Sequence, residues 1–135
     1  MTLAYLGQPY FHHEPAIREL RYRAALEASG FLNKFGQPNF SPIAHSHNIN
    51  AEPPGGWVEA LDLPILTICS KLCVLQLDGW GHSKGLTREI GFALERSIPI
   101  EYLDPDNYLT ASTSTHLQAL IDYHGVEPNL ERDIA

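Results

Sequence analysis

The chain predicts an α/β protein: a doubly wound parallel sheet of four to five strands flanked by helices. Three observations predict it. Short apolar runs alternate with longer stretches whose apolar residues recur at steps of three and four. The run Leu72-Cys73-Val74-Leu75-Gln76-Leu77 is almost wholly apolar, as a central strand covered on both faces should be. Parallel neighbours need a crossover, and the intervening helical stretches supply it.

The first strand is Leu3-Ala4-Tyr5-Leu6, ending at Gly7. Residues 15 to about 31 read as a helix. Pro15 suits a first turn, and Ile17, Leu20, Ala24 and Ala28 share a stripe. Gly30 and Gly36 punctuate its end. Residues 39–41 form a second short strand, stopped by Pro42. Residues 43–56 read as a long polar loop holding His45-Ser46-His47 and Pro53-Pro54-Gly55-Gly56; a loop of that length is usually functional or mobile. A helix over residues 57–70 carries Pro64 inside it, which would kink it. The strand over 72–77 leads to a loop at 78–82 and a helix over 83–96, whose inward stripe is Leu86, Ile90, Ala93 and Leu94. A fourth strand covers 98–103, with Pro99 near its start. The last helix covers 110–123 around Leu117, Leu120 and Ile121. The tail, 124–135, is polar and expected to be loose. Neither a repeat nor a linker divides residues 1–135, so one domain is expected.

Sixteen acidic residues against nine basic ones give a formal net charge of −7. Such a chain repels polyphosphates at long range, which disfavours nucleic acid polymers and anionic membranes as partners. A small anion held by backbone dipoles is not excluded. The apolar runs fall well short of the ~20 residues that span a bilayer. The start lacks the basic stretch and long apolar run of a signal peptide. A cytoplasmic location is expected, with Cys69 and Cys73 as reduced, buried thiols that share one face at helical spacing.

Ligands of doubly wound sheets bind beyond the carboxyl ends of the strands. That rule selects the loops at 7–13, 41–56, 78–83 and 104–108, where most of the unusual polar residues lie. Glu89 is the sharpest single candidate. Its neighbours at three and four residues are Gly85, Leu86, Phe92 and Ala93, so no local salt bridge accounts for it. A carboxylate on an apolar flank suits a nucleophile or acid/base; spacing alone also fits a partly solvated helix glutamate. Ser83 and Gly85 open the same helix. Free N–H groups, a hydroxyl and the helix dipole make an anion site there, and Ser83 equally suits an N-cap.

Three stretches carry a resemblance: Tyr5-Leu6-Gly7-Gln8-Pro9-Tyr10, Phe40-Ser41-Pro42-Ile43-Ala44-His45-Ser46-His47, and Ser83-x-Gly85-x-x-x-Glu89-Ile90-Gly91-x-Ala93. With Trp57 and Asp62 they make the chain similar to the nucleoside 2-deoxyribosyltransferase-like superfamily. That group includes the nucleoside 5′-monophosphate N-glycosidases. The chain resembles most closely an uncharacterised bacterial and phage branch. The resemblance implies a flavodoxin- or Rossmann-like fold and an enzyme that cleaves or exchanges an N-glycosidic bond without a cofactor. It implies Glu89 as the nucleophile that attacks the anomeric carbon. Asp62, 27 residues earlier, would contact or protonate the leaving base, and Tyr5 would line the sugar pocket and position Glu89. Ser83, where the transferases carry aspartate, would hold a 5′-phosphate, with Lys84, Arg18 and His12 as helpers. Gly7, Pro9 and Gly85 would complete the ligand site.

The chain departs from that pattern at Gln8, where small residues are usual, and in the His45-x-His47 loop. His45 and His47 are read as capping the base. A zinc cluster with His12, His13 and His82 is the lesser alternative, since no Cys-His pattern accompanies them. Trp57 and Trp80 are candidates for stacking on a base. The implied partner is a small nucleotide or nucleoside. The implied assembly is a homodimer or larger, with Asn107 donated across an interface. The competing reading is a non-catalytic nucleotide-binding module built on the same pocket.

Overall fold

The computed structural model describes residues 2–126. Four strands form one parallel sheet: β1 (Ala4–Gly7), β2 (Asn39–Phe40), β3 (Lys71–Leu75) and β4 (Ile100–Leu103), in the order β2-β1-β3-β4. Leu6 pairs with Cys73 and Val74 with Tyr102. Five α-helices accompany them: α1 (Pro15–Lys34), α2 (Pro42–Ser46), α3 (Leu63–Ile68), α4 (Lys84–Glu95) and α5 (Ala111–His124). The doubly wound α/β class read from the sequence is therefore the observed one, with four strands. The tail expected to be loose lies outside the described residues beyond Val126.

The two faces of the sheet build two apolar layers. Leu6, Cys73 and Leu75 point to the face covered by Ile17, Ala24 and Ala28 of α1 and Leu117 and Ile121 of α5. Tyr5, Leu72 and Val74 point to the other face, against Leu66 of α3 and Leu86 and Ala93 of α4. This division follows from the two-residue period of a strand. Both thiols are free and buried, as expected, but they do not share one face. Cys73 sits in the α1–α5 layer and Cys69 in the α3–α4 layer, because β3 begins between them and replaces the helical period.

Local chemistry sets the helix ends. α1 starts at Pro15, with the Glu14 side chain accepting from Ala16 N–H, and runs three residues past its expected end. The loop expected over 43–56 instead begins as α2. Pro42 takes its first turn and Ser41 Oγ accepts from Ala44 N–H at 3.1 Å. The expected helix over 57–70 is divided at Pro64. Residues Val58–Asp62 form a π turn, closed by Leu63 N–H to Val58 O, and α3 follows with Pro64 in its first turn. Proline has no N–H to bond four residues back and its ring clashes with that carbonyl; widening the preceding turn removes the conflict.

α4 buries Leu86, Glu89 and Ala93. Leu94, expected on the inward stripe, is instead 67% exposed. At 3.6 residues per turn it lies about 80° round from Leu86, away from Glu89 and Ala93.

Arg21 is buried in the apolar stripe of α1. Its guanidinium donates to Phe11 O at 3.0 Å and Asp78 O at 3.1 Å. One buried cation thus ties together the loops that leave β1 and β3. Burial lowers its pKa to about 10, so it stays charged at neutral pH.

Candidate active site

A cavity of about 840 Å³ opens beyond the carboxyl ends of β1 and β3. The sequence rule for doubly wound sheets points to this place, where the connections from β1 and β3 diverge to opposite sides. Three of the four expected loops line it. The fourth, after β4, borders a separate cavity of about 300 Å³ with Asp78, Asp104 and Asp106.

Glu89 and Asp62 both line the main cavity, each only 5% exposed. Glu89 reaches it from the second turn of α4. The Tyr5 hydroxyl donates to Glu89 Oε2 from beneath. Tyr5 itself is fully buried and supports the wall rather than lining it. Burial pushes the Glu89 carboxyl up to about 8; the Tyr5 donation opposes this and the nearby Asp62 adds to it. Tyr5 is raised as well, first by burial and then by Glu89. Its hydroxyl is therefore a firm donor.

Asp62 enters from the last position of the π turn. Its Oδ1 is buried and has no hydrogen-bond partner. Burial alone raises its carboxyl to about 7. Two carboxyls that burial raises in one cavity mark a candidate functional site.

Gly7 closes the gap between β1 and α4. A Cβ there would come within 3.0 Å of Leu86 Cδ1 and 3.5 Å of Glu89 Oε1. A side chain at this position would crowd Leu86, the residue that packs beside Glu89 on α4.

Ser83, Lys84 and Gly85 line the cavity mouth at the start of α4. Ser83 is the N-cap, and its Oγ accepts from Leu86 N–H at 3.2 Å. That leaves the hydroxyl proton free to donate to an anion beside the positive end of the helix. Both sequence uses of Ser83, cap and anion donor, are compatible in this geometry.

The segment at 46–58 forms the outer wall. His47 and Trp57 line the cavity, whereas His45 and Pro9 do not. His45 is exposed and meets the Trp57 ring edge-on at 5.9 Å. Of the expected phosphate helpers, Lys84 lines the cavity. His12 is buried away from it, against Gly125 O at 3.1 Å, and Arg18 donates to His12 O. Asn107 is exposed in the turn Pro105–Asn107 and lines neither cavity. Trp80 packs against Tyr102, outside the cavity.

Tyr10, Glu52 and Arg88 line the cavity without having been singled out as site residues from the sequence, and Gln8, marked there as a departure from the resemblance, lines it too. Tyr10 and Gln8 sit in the first carboxyl-end loop, and that position was the available signal. Among the described residues, no three His, Cys, Asp or Glu side chains group to hold a metal ion. His12 stacks on His13, and both ring nitrogens of His47 are taken by Tyr10 and Glu19.

Fold and site together define a doubly wound α/β protein with a buried two-carboxyl crevice at its topological switch point. Residues 2–104 match the family model described as Domain of unknown function (DUF1937), and the chain belongs to that family. The match spans β1 to the end of β4 and so includes Tyr5, Asp62, Glu89 and the start of α4 at Ser83. No curated protein matches the chain. Among the described residues, no helix is long and apolar enough to cross a membrane.

Proposed function

We propose that the chain breaks or exchanges the N-glycosidic bond of a nucleoside 5′-monophosphate or deoxynucleotide. The observation that carries this reading is the Tyr5–Glu89 hydrogen bond beside the unpartnered Asp62 in one cavity. Glu89, as carboxylate, attacks the anomeric carbon and the bond to the base breaks. Asp62, as carboxylic acid, gives its proton to the departing base. A carboxylate nucleophile and a carboxylic acid are the pair that retaining glycoside cleavage uses. Water or a second base then resolves the glycosyl ester on Glu89. The 5′-phosphate sits at Ser83 and the start of α4, where dipoles and a hydroxyl offset an acidic chain.

The experiment is chromatography of a nucleoside monophosphate panel after incubation with the protein. Free base from wild type and none from Glu89→Gln supports the reading. Intact ligand throughout overturns it.

A non-catalytic binding module is the second reading. One observation favours it: burial holds Glu89 at about 8, mostly protonated at neutral pH and poorly nucleophilic before a ligand enters. Saturable binding without base release decides for it. A homodimer belongs to the same set of proposals. Asn107 lies outside this chain's cavity, so its contribution requires a second copy.

A further inference from the structure

We propose that Tyr10, held by His47 and Glu19, reads the base and selects one that bears an amino group over its oxo counterpart. The inference rests on the nucleotide reading above and adds the class of base.

The geometry begins at Glu19, whose carboxylate lies 2.7 Å from His47 Nε2. A carboxylate only accepts, so Nε2 carries a proton, and with the ring neutral it is the one proton the imidazole holds. His47 Nδ1 then carries a lone pair. Tyr10 Oη lies 2.7 Å from that nitrogen, so the tyrosine hydroxyl must donate to it.

Packing holds the imidazole in this orientation. Tyr22 stacks on it at 4.2 Å and 17°, and the Tyr10 ring meets it edge-on at 5.6 Å. Asn48 donates to the Tyr22 hydroxyl at 3.1 Å, fixing the stacking partner. The groups around the hydroxyl are Glu19 behind His47, the Arg18 guanidinium and Glu52. Burial raises the Tyr10 pKa, which keeps the hydroxyl protonated.

With its hydrogen committed to His47, Tyr10 offers any further partner only lone pairs. Arg18 competes for one of them, and the other remains. Glu52, a carboxylate on the same wall, likewise only accepts.

The base is placed by elimination. The sugar is assigned to Gly7 and Glu89, and the phosphate to Ser83. The wall that remains includes Tyr10, Ile43, His47, Ile49 and Trp57, an apolar and aromatic stretch suited to a flat heterocycle. An amino group on that heterocycle donates to Tyr10. An oxo group faces its lone pairs and is repelled. A site built around a fixed hydrogen-bond polarity rejects the wrong group by far more than a tenfold factor when fully desolvated; partial exposure of Tyr10 argues for the lower end.

The test compares adenosine 5′-monophosphate with inosine 5′-monophosphate, which differ at the 6-amino and 6-oxo positions. Wild type is expected to favour the amino compound at least tenfold in kcat/KM. Tyr10→Phe keeps the ring packing and is expected to bring the two within about threefold. Glu19→Gln also lowers the ratio, because an amide can present an N–H to His47 and release its tautomer. No preference in wild type, a preference for the oxo compound, or an unchanged ratio in Tyr10→Phe overturns the inference. Calorimetry of both compounds on Glu89→Gln separates it from the catalytic reading. Tenfold tighter binding of the amino compound, with no base release by wild type, sinks catalysis and keeps the base assignment. Equal release of base from both compounds does the reverse.

Discussion

Tyr5 hydrogen-bonds Glu89 across 84 residues of chain, joining the inner strand β1 to the second turn of α4. The bond is buried on both sides. It gives Glu89 a donor that favours its charged form, against burial, which favours the neutral one.

Removing that donor should push Glu89 further up. Tyr5→Phe is expected to shift the pH limb governed by Glu89 to higher pH. At pH 7 its kcat/KM should fall by about tenfold. The measurement is a pH profile of base release for both proteins. Superimposable profiles would count against the positioning role.

The pH profile of wild type should be a narrow bell. Glu89 and Asp62 are held at about 8 and about 7, and the reaction needs Glu89 charged and Asp62 neutral, the minor of the two singly ionised forms. kcat/KM reports these groups in the free enzyme, as a coupled pair rather than as separate sites. The maximum is expected between pH 7 and 8. A flat profile from pH 5 to 9 would exclude the two-carboxyl mechanism.

Stability should carry the opposite mark of the same burial. Both carboxyls are raised above their unfolded values, so the native state holds protons more tightly. Their contribution is complete below about pH 4 and is lost as pH rises through 7 and 8. Glu89→Gln is therefore expected to be more stable than wild type at pH 9, on the order of 3 kcal/mol, with the gap closing toward pH 5. Denaturant titrations at both pH values measure it. Equal destabilisation at both would mean that Glu89 is a structural group.

Ser83 allows cap and anion site to be separated. Aspartate caps a helix as well as serine does, but its charge repels a phosphate. Ser83→Asp is expected to keep the melting temperature within about 2 °C while losing affinity for nucleoside monophosphates relative to nucleosides. Ser83→Ala should lose about 1 kcal/mol of stability. Unchanged monophosphate affinity in Ser83→Asp would remove the phosphate from the start of α4.

Gly7→Ala tests the close approach of β1 to α4. The added methyl meets Leu86 and Leu72 at 3.0 and 3.2 Å, and overpacking of this kind costs about 1–3 kcal/mol. A lowered melting temperature with base release reduced beyond that of the remaining folded fraction is expected. Full activity in the folded fraction would show that crowding at Leu86 does not reach Glu89.

Much of this architecture was legible in the chain. The apolar run at 72–77 marked a central strand, and its neighbours set the α/β alternation. The pattern Ser83-x-Gly85 with Glu89 marked a capped helix with a carboxyl on its buried flank. Less legible was the surrounding wall. Pro64 announced a break but not that a π turn would aim Asp62 into the cavity. His45 and His47 looked equivalent two residues apart, yet one is exposed and the other is clamped by Tyr10 and Glu19. Arg21 occupied an apolar stripe, where its charge gave no hint that it would bind the carbonyls of two loops.

The sequence by itself determined the main local choices: the alternation of strands and long helices, the cap at Ser83, and that the strands run parallel. Those depend on period, proline, glycine and capping side chains acting over a few residues. Only the tertiary structure decided which polar groups lose water and meet. Tyr5 reaches Glu89, Asp62 is left unpartnered, and Glu19 orients His47 toward Tyr10 because separate elements pack at particular faces and registers. The desolvation that raises both carboxyls belongs to that packing and has no counterpart in the unfolded chain.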